Sequence, residues 1–479
     1  MRNQVREIAS MHRWWVLLGL VFVLSRALYF AAGMRIDTTP VGSYLQYVDP
    51  ALLRNHLWQS LLYLHEQPPG FNLYLGLVLK SGHPAVVFLA VQLLLGLALA
   101  FSLMSLMTRL GIVPWLAFAF TTLFVASPIT MLYENWVFYE YPVMVFLTVA
   151  AWALERCTRT ASFRHFLIFF AAIATVASIR AVYHLAWFLL LAVWLLSLAR
   201  HHWRRILLAA AVPGILIVAV YLKNYVMFGD IIPGQVFRKM NFADMVQQQA
   251  PDGSINRLER QGRIGNILEI PALDTDVYAF AGSVNQPART GIPLFDAPRK
   301  STGANNWNST WMAKVADAEY RDAQVVADED PEVYWRQIRA NLRAYLLPAT
   351  DVFPFNATPV ANSLRPFLNW YERITSGELS SDSSSNEDPV AWLNLWLFPA
   401  CLVGGIVFAV RTRSPTLSFL LFNIVYDTAV TVLFASGDHN RYREEVATYY
   451  VVFSGLLLNG AWVRLTALTQ RFVPLLETK

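Results

Sequence analysis

Long apolar runs, broken by short polar stretches in which Arg recurs on one side, organise this chain. The runs lie near 14–33, 84–107, 112–130, 141–156, 164–180, 182–199, 206–225, 390–410, 415–436 and 447–467. Each is expected to be a membrane-crossing helix, because about 18–20 apolar residues span roughly 30 Å of hydrocarbon and a helix satisfies its own backbone there. Two further apolar segments, Asp49 to Leu64 and Pro68 to Lys80, are short or interrupted, and are predicted to lie at the membrane interface. The first run is followed by no small-residue cleavage site, so a retained helix is expected rather than a signal peptide. The predicted fold is an all-α polytopic membrane protein of about ten transmembrane helices.

The basic residues orient this layout. With the N-terminus inside, Arg2, Arg6, Arg13, Arg109, Arg156, Arg159, Arg164, Arg200, Arg204, Arg205, Arg411, Arg413, Arg464, Arg471 and Lys479 all fall in the cytoplasm, as the positive-inside rule requires. Counting Pro68 to Lys80 as a span would split these loops between the two sides. The outside segments are then 34–83, 131–140, 180–182, 226–389 and 437–446. Three units follow: a seven-span module over 1–225 that includes the first outer loop 34–83, a large extracytoplasmic loop over 226–389, and a three-span module over 390–479. Within the large loop an amphipathic helix is predicted at Pro331 to Leu346, and Ser380 to Asp388 reads as a polar linker.

Composition sharpens the picture. Of 479 residues, 56% are hydrophobic and only 15% are charged, against roughly 25% charge in soluble domains. The net charge of +5 comes from residues at helix ends, with no basic stripe, so nucleic acid is not an expected partner. Two cysteines, Cys157 and Cys401, give neither a disulfide framework nor a Cys-based metal site. There is no phosphate-binding glycine loop, dinucleotide fingerprint, HExxH or GxSxG motif. No internal repeat suggests the duplicated halves of a transporter.

Candidate chemistry gathers on the outer side. The first outer loop carries Asp37, Asp49 and the run His65-Glu66-Gln67-Pro68-Pro69-Gly70. Asp49 before Pro50 has the form of a helix N-cap, whereas Asp37 has no clear capping signature; either could take a proton from a substrate hydroxyl. The second outer loop holds Glu134 and Glu140 among Tyr133, Trp136, Phe138, Tyr139 and Tyr141. An interfacial aromatic belt accounts for the rings, but not for two acids without a basic neighbour in the loop, and rings beside acids also suit sugar binding. Arg180 with His184, Lys223 with Asn224, and Arg441 and Arg443 stand at the outer ends of other spans or in the short loop from Gly437 to Glu445. Cations are disfavoured there, so four of them predict an electropositive collar suited to a phosphate at headgroup depth. His201 and His202 lie in a basic cytoplasmic loop and read as structural.

In order and topology over 14–225, the chain resembles the membrane-embedded GT-C glycosyltransferases, in particular the protein mannosyltransferases and aminoarabinose transferases. The elements that carry the resemblance are one span, an outer loop with Asp37 or Asp49, Gln67-Pro68-Pro69-Gly70 leading an interfacial helix, Ser127-Pro128 near the end of the third span, an acid in the next outer loop, and seven spans before a large outer loop. The family's paired Asp-Glu is replaced by Asp37-Thr38 and Asp49-Pro50, and Gln67 stands where related enzymes carry Lys or His. The resemblance implies inverting transfer of a sugar from a polyprenyl-phosphate carrier to a hydroxyl of a glycan, lipid or protein acceptor, with the first-loop acid as base. Membrane lipid is a further expected partner. No cofactor is demanded; a divalent cation is compatible with the site but the cationic collar could replace it. A bacterial inner membrane, with both termini cytoplasmic, is the implied location. The competing readings are a transporter or flippase of a lipid-linked intermediate, favoured by Asp427 inside the ninth span, and a receptor using 226–389 to bind a ligand.

Overall fold

A computed structural model describes residues 2–229, 231–269, 287–346, 366–367, 370–371, 392–437 and 439–476, and among these the chain is helical with no β-strand. The helices expected from the apolar runs form: α1 (Arg2–Ala31), α6 (Pro84–Arg109), α7 (Pro114–Val125), α9 (Glu140–Thr160), α10 (Phe163–Ile179), α11 (Leu185–Leu198), α12 (Trp203–Phe228), α18 (Trp392–Thr412), α19 (Pro415–Phe434) and α21 (Ala447–Leu476). Prolines at first turns start many of them, among them Pro84, Pro114 and Pro415, where the missing N–H costs nothing. Between α1 and α6 lie α2 (Thr39–Ser43), α3 (Pro50–Asn55), α4 (Leu57–Tyr63) and α5 (Pro69–Leu79).

The chain is an integral membrane protein. By length and composition, the described residues hold 4 helices able to cross a membrane (His12–Ala31, Pro84–Arg109, Arg200–Phe228 and Pro415–Phe434), or up to 6 if each of two bent pairs is one span. Their outer faces are bare hydrocarbon. On α12 the stripe Leu208, Val212, Ile215 and Leu216 is exposed, while Ile206, Ala209, Pro213 and Ile217 face inward. An apolar stripe of that extent, left uncovered by protein, belongs against lipid. Phe163–Ile179, Leu185–Leu198 and Trp396–Thr412 are apolar but shorter.

The third apolar run departs from expectation. It breaks after Val125 and resumes, at a 54° bend, as α8 (Pro128–Asn135). Ser127 makes the break: its Oγ accepts the Thr130 amide at 3.2 Å, and Pro128 opens the new helix. Residues 131–140 are therefore mostly helical, and their rings do not form an interfacial belt. Tyr133, Trp136, Phe138, Tyr139 and Tyr141 are all buried. A loop this rich in rings gains more by packing inward, where each ring buries its whole surface.

The segment 226–389 contains a helical unit. In it α13 (Gln235–Gln249), α14 (Ser254–Arg260), α16 (Thr310–Glu329) and α17 (Glu332–Tyr345) enclose a small core of Ala243, Val246, Leu258, Val315, Ala323 and Val326, while α15 (Pro293–Asp296) packs Leu294 and Phe295 into the main core. The amphipathic helix forms where it is predicted. Its buried face divides: Val333 joins the small core and Gln337 donates to Gln248 of α13, while Asn341 Nδ2 donates to the carbonyls of Val432 and Ala435 at the end of α19, at 3.0 and 3.1 Å. The expected linker at Ser380 to Asp388 lies outside the described residues.

Candidate functional site

Segments 34–83 and 131–140 are joined at Asp37. Its amide donates to the Asn135 carbonyl at 2.6 Å and its carbonyl accepts from Val137 at 2.9 Å, forming an isolated parallel bridge with Trp136. Asp37 Oδ1 accepts the Thr39 amide at 2.9 Å, a local turn contact that its sequence context did not advertise. Its Oδ2 is buried and has no hydrogen-bond partner among the described residues.

Asp49 is engaged on both oxygens. Oδ1 caps Ala51 at 2.8 Å and accepts the Ser301 hydroxyl at 2.6 Å, while Oδ2 accepts the Ser301 amide at 2.6 Å. Lys300 donates to the Tyr44 carbonyl and Thr302 to that of Gly42. Residues 300–302 are thus fastened to segment 34–83, and Asp49 is one of the fasteners.

Glu134 acquires the cation that its own loop lacks. Arg26 of α1 donates Nε to Oε1 at 3.0 Å and Nη2 to Oε2 at 2.5 Å, and Tyr141 donates to Oε2 at 2.6 Å. Gly96 makes this approach feasible, since a Cβ there would lie 2.6 Å from Glu134 Oε2. With three donors on it, Glu134 is a buried structural acid in this conformation. Arg26, missed in the sequence, is one polar residue in a long apolar run, and an intramembrane Arg is the signal that marks it.

The cations do not form an open collar. Arg180 Nη1 lies 3.3 Å from Glu140 Oε1 and its Nε 2.7 Å from Glu445 Oε1; Arg441 Nε lies 3.1 Å from the same Glu140 oxygen. Arg443 donates to the Tyr345 carbonyl at 2.6 Å. Lys223 donates to the Leu64 carbonyl at 2.5 Å and shares none of these partners. Buried guanidiniums need counter-charges, and α9 and α20 (His439–Glu445) supply them. Arg180 also lies between the Tyr139 and Tyr442 rings, 4.2 and 4.3 Å from their centroids.

Arg180 nevertheless reaches open space. It lines a cavity of 470 Å³ whose walls include Val182, Ile232, Phe237, Phe242, Val430 and Phe434, with Gln46, Gln67 and His184 also at the wall. Arg180 Nη2 has no hydrogen-bond partner among the described residues. Gln67 donates to Gln46, and His184 caps α11 by accepting the Ala186 amide at 3.2 Å. Glu66 points away, to α13: its oxygens accept the Val236 and Phe237 amides at 3.2 and 3.1 Å, satisfying the helix N-terminus. Burial holds the Glu66 carboxyl up at about 7 against those bonds, and holds the His65 imidazole down at about 4. His65, Glu66 and Asn224 line a second cavity. Among the described residues no three His, Cys, Asp or Glu side chains gather as a metal site.

Two solved structures are similar to this chain. They are ArnT from Cupriavidus metallidurans in the apo state, at 15% identity over 94% of this chain and 77% of that chain with a TM-score of 0.35, and the same protein bound to undecaprenyl phosphate, at 15% over 96% and 80% with a TM-score of 0.36. No protein-family model and no curated protein matches.

Proposed function

We propose that this protein is a membrane glycosyltransferase of the GT-C type, which moves a sugar from a polyprenyl-phosphate carrier to an acceptor hydroxyl on the outer face of a bacterial cell membrane. The observation that supports it is a largely apolar cavity with the Arg180 side chain at its wall, where one guanidinium nitrogen, the buried Nη2, has no hydrogen-bond partner among the described residues. An isoprenoid chain fits the apolar walls, and a phosphate is the natural acceptor for that nitrogen. Undecaprenyl phosphate, the ligand of the second similar structure, belongs to this chemical class, but the reading rests on the cavity.

In this reading Asp37, with one carboxylate oxygen left over, takes the proton from the acceptor hydroxyl. The acceptor oxygen attacks the anomeric carbon, the bond from that carbon to the carrier phosphate breaks, and the phosphate leaves with the electron pair. Arg180 stabilises the charge that develops on it. Tyr139, at the cavity wall, lies three residues past Trp136, the bridge partner of Asp37. Holding both reactants in one water-poor site supplies proximity. Asp427, the residue that favoured transport, is bonded by Tyr183 at 3.4 Å and Tyr345 at 3.1 Å, which gives it a structural role.

The test is binding of a fluorescent polyprenyl phosphate to the protein in nanodiscs. Arg180→Ala should weaken it ten- to hundredfold, since a charge-assisted hydrogen bond is worth roughly 1.5–3 kcal/mol. That variant strands Glu140 and Glu445, so Arg180→Ala/Glu445→Gln is measured beside it; the double variant should recover stability without recovering binding. Wild-type affinity in a folded double variant would overturn the reading.

A further inference from the structure

Beside the larger cavity, and sharing Ile232 with it, lies a second one of 250 Å³. Three rings in mutual contact form part of its wall: His65 and Phe228 with centroids 5.0 Å apart, His65 and Phe295 at 5.7 Å, and Phe228 and Phe295 at 6.0 Å. Glu66, Asn224, Gln235 and Thr310 also line it. Asn224 is 3% exposed, and its Oδ1 has no hydrogen-bond partner among the described residues. Lys239 and Asp317, the other charged residues of the lining, are paired at 2.5 Å, and Asp317 is exposed, so the cavity reaches water.

These features select a ligand class. A purely apolar guest would leave the Asn224 amide oxygen stranded, which is costly. An anion would find Lys239 already paired with Asp317. The rings offer apolar faces and Asn224 an acceptor; Gln235, whose Oε1 takes Lys239, keeps its amide donors, and Thr310, whose hydroxyl donates to the Phe295 carbonyl, keeps its acceptor lone pairs. Sugars have both surfaces, C–H faces and a rim of hydroxyls. The volume lies just below the ~300–1,000 Å³ of sites for drug-sized ligands, as suits a single ring.

We propose that this cavity binds one neutral pyranose ring, and that the ring belongs to the acceptor. The first half stands on the cavity alone; the second rests on the transferase reading above. The position is apt, because the segment from His65 to Gln67 borders both spaces, His65 and Glu66 on the smaller and Gln67 on the larger.

Saturation-transfer NMR of the full chain in nanodiscs, with methyl hexopyranosides as probes and glucose 6-phosphate and glucosamine as charged comparators, tests this. The neutral glycosides should bind, and Phe295→Leu and Asn224→Ala should each weaken binding at least tenfold. Leu keeps an apolar side chain but removes the ring face; if Phe295→Leu loses its thermal transition, Asn224→Ala decides. No binding of neutral sugars, preference for either charged sugar, or unchanged binding in a folded variant overturns the proposal. The Arg180 experiment is read separately. Sugar binding that fails while Arg180-dependent phosphate binding persists defeats this inference alone, and the reverse pattern defeats the donor reading while leaving the sugar site.

Discussion

The Arg26 guanidinium spans the break between α7 and α8. One edge holds Glu134 of α8 at 3.0 and 2.5 Å, and Nη1 donates to the carbonyl of Val125, the last residue of α7, at 2.9 Å. Both charged side chains are at least 95% buried, at 4% and 1% exposure. The bend that turns α8 toward Asp37 is thus pinned from α1.

That arrangement sets an order of stabilities. Removing one partner of a buried pair strands the other, at a cost of roughly 3–5 kcal/mol. Arg26→Met and Glu134→Gln should each lower the thermal transition strongly, and Arg26→Met/Glu134→Gln should be milder than the sum of the two. Additive losses on thermal unfolding would show that the two side chains do not act as a pair.

Asp37 and Asp49 are now distinguishable. Asn at 37 keeps the Oδ1 acceptor for Thr39 and changes only the oxygen that has no partner among the described residues, so Asp37→Asn should fold normally and lose about 10²-fold or more of sugar transfer. Asn at 49 presents an N–H to the Ser301 amide where an oxygen now accepts it. Asp49→Asn should therefore cost about 1–3 kcal/mol of stability, seen as easier proteolysis of the outer segment, and retain transfer per folded molecule. Full transfer activity by folded Asp37→Asn would remove it as the base.

The helical unit within 226–389 should respond to pH through Glu319 of α16. This side chain is 1% exposed, and neither carboxylate oxygen has a partner among the described residues. Burial first, and then the charge of Asp244 on α13, raises it to about 8. The native state then holds a proton that the unfolded chain releases near 4.5, so stability is greatest below the unfolded value and falls as pH rises from about 4.5 to 8. Glu319→Gln should flatten that fall and make the protein more stable than wild type at pH 8. Parallel pH curves of melting temperature for the two proteins would refute the assignment.

Sidedness can be tested by thiol labelling with little background, because Cys157 and Cys401 are both buried. Asp252 and Thr160 are exposed. Asp252→Cys should react with an impermeant maleimide in intact cells, and Thr160→Cys only after permeabilisation. The opposite pattern inverts the layout.

The sequence by itself determined where helices form and which faces are apolar, because those depend on neighbours one to four residues away. The runs, the prolines that start them, the Arg-rich loops and the amphipathic helix at Glu332–Tyr345 were legible for this reason. The acids and bases of the outer side were legible too, as residue types in unusual places. Their roles were decided by tertiary structure, since each is fixed by a partner far along the chain. Glu134 lies 108 residues from Arg26, and Ser301 lies 252 from Asp49. Glu140 looked unpaired within its loop, yet α10 and α20 each bring an Arg to it. A charge buried on folding must be met by whatever the fold brings beside it, and no local pattern encodes which residue that will be.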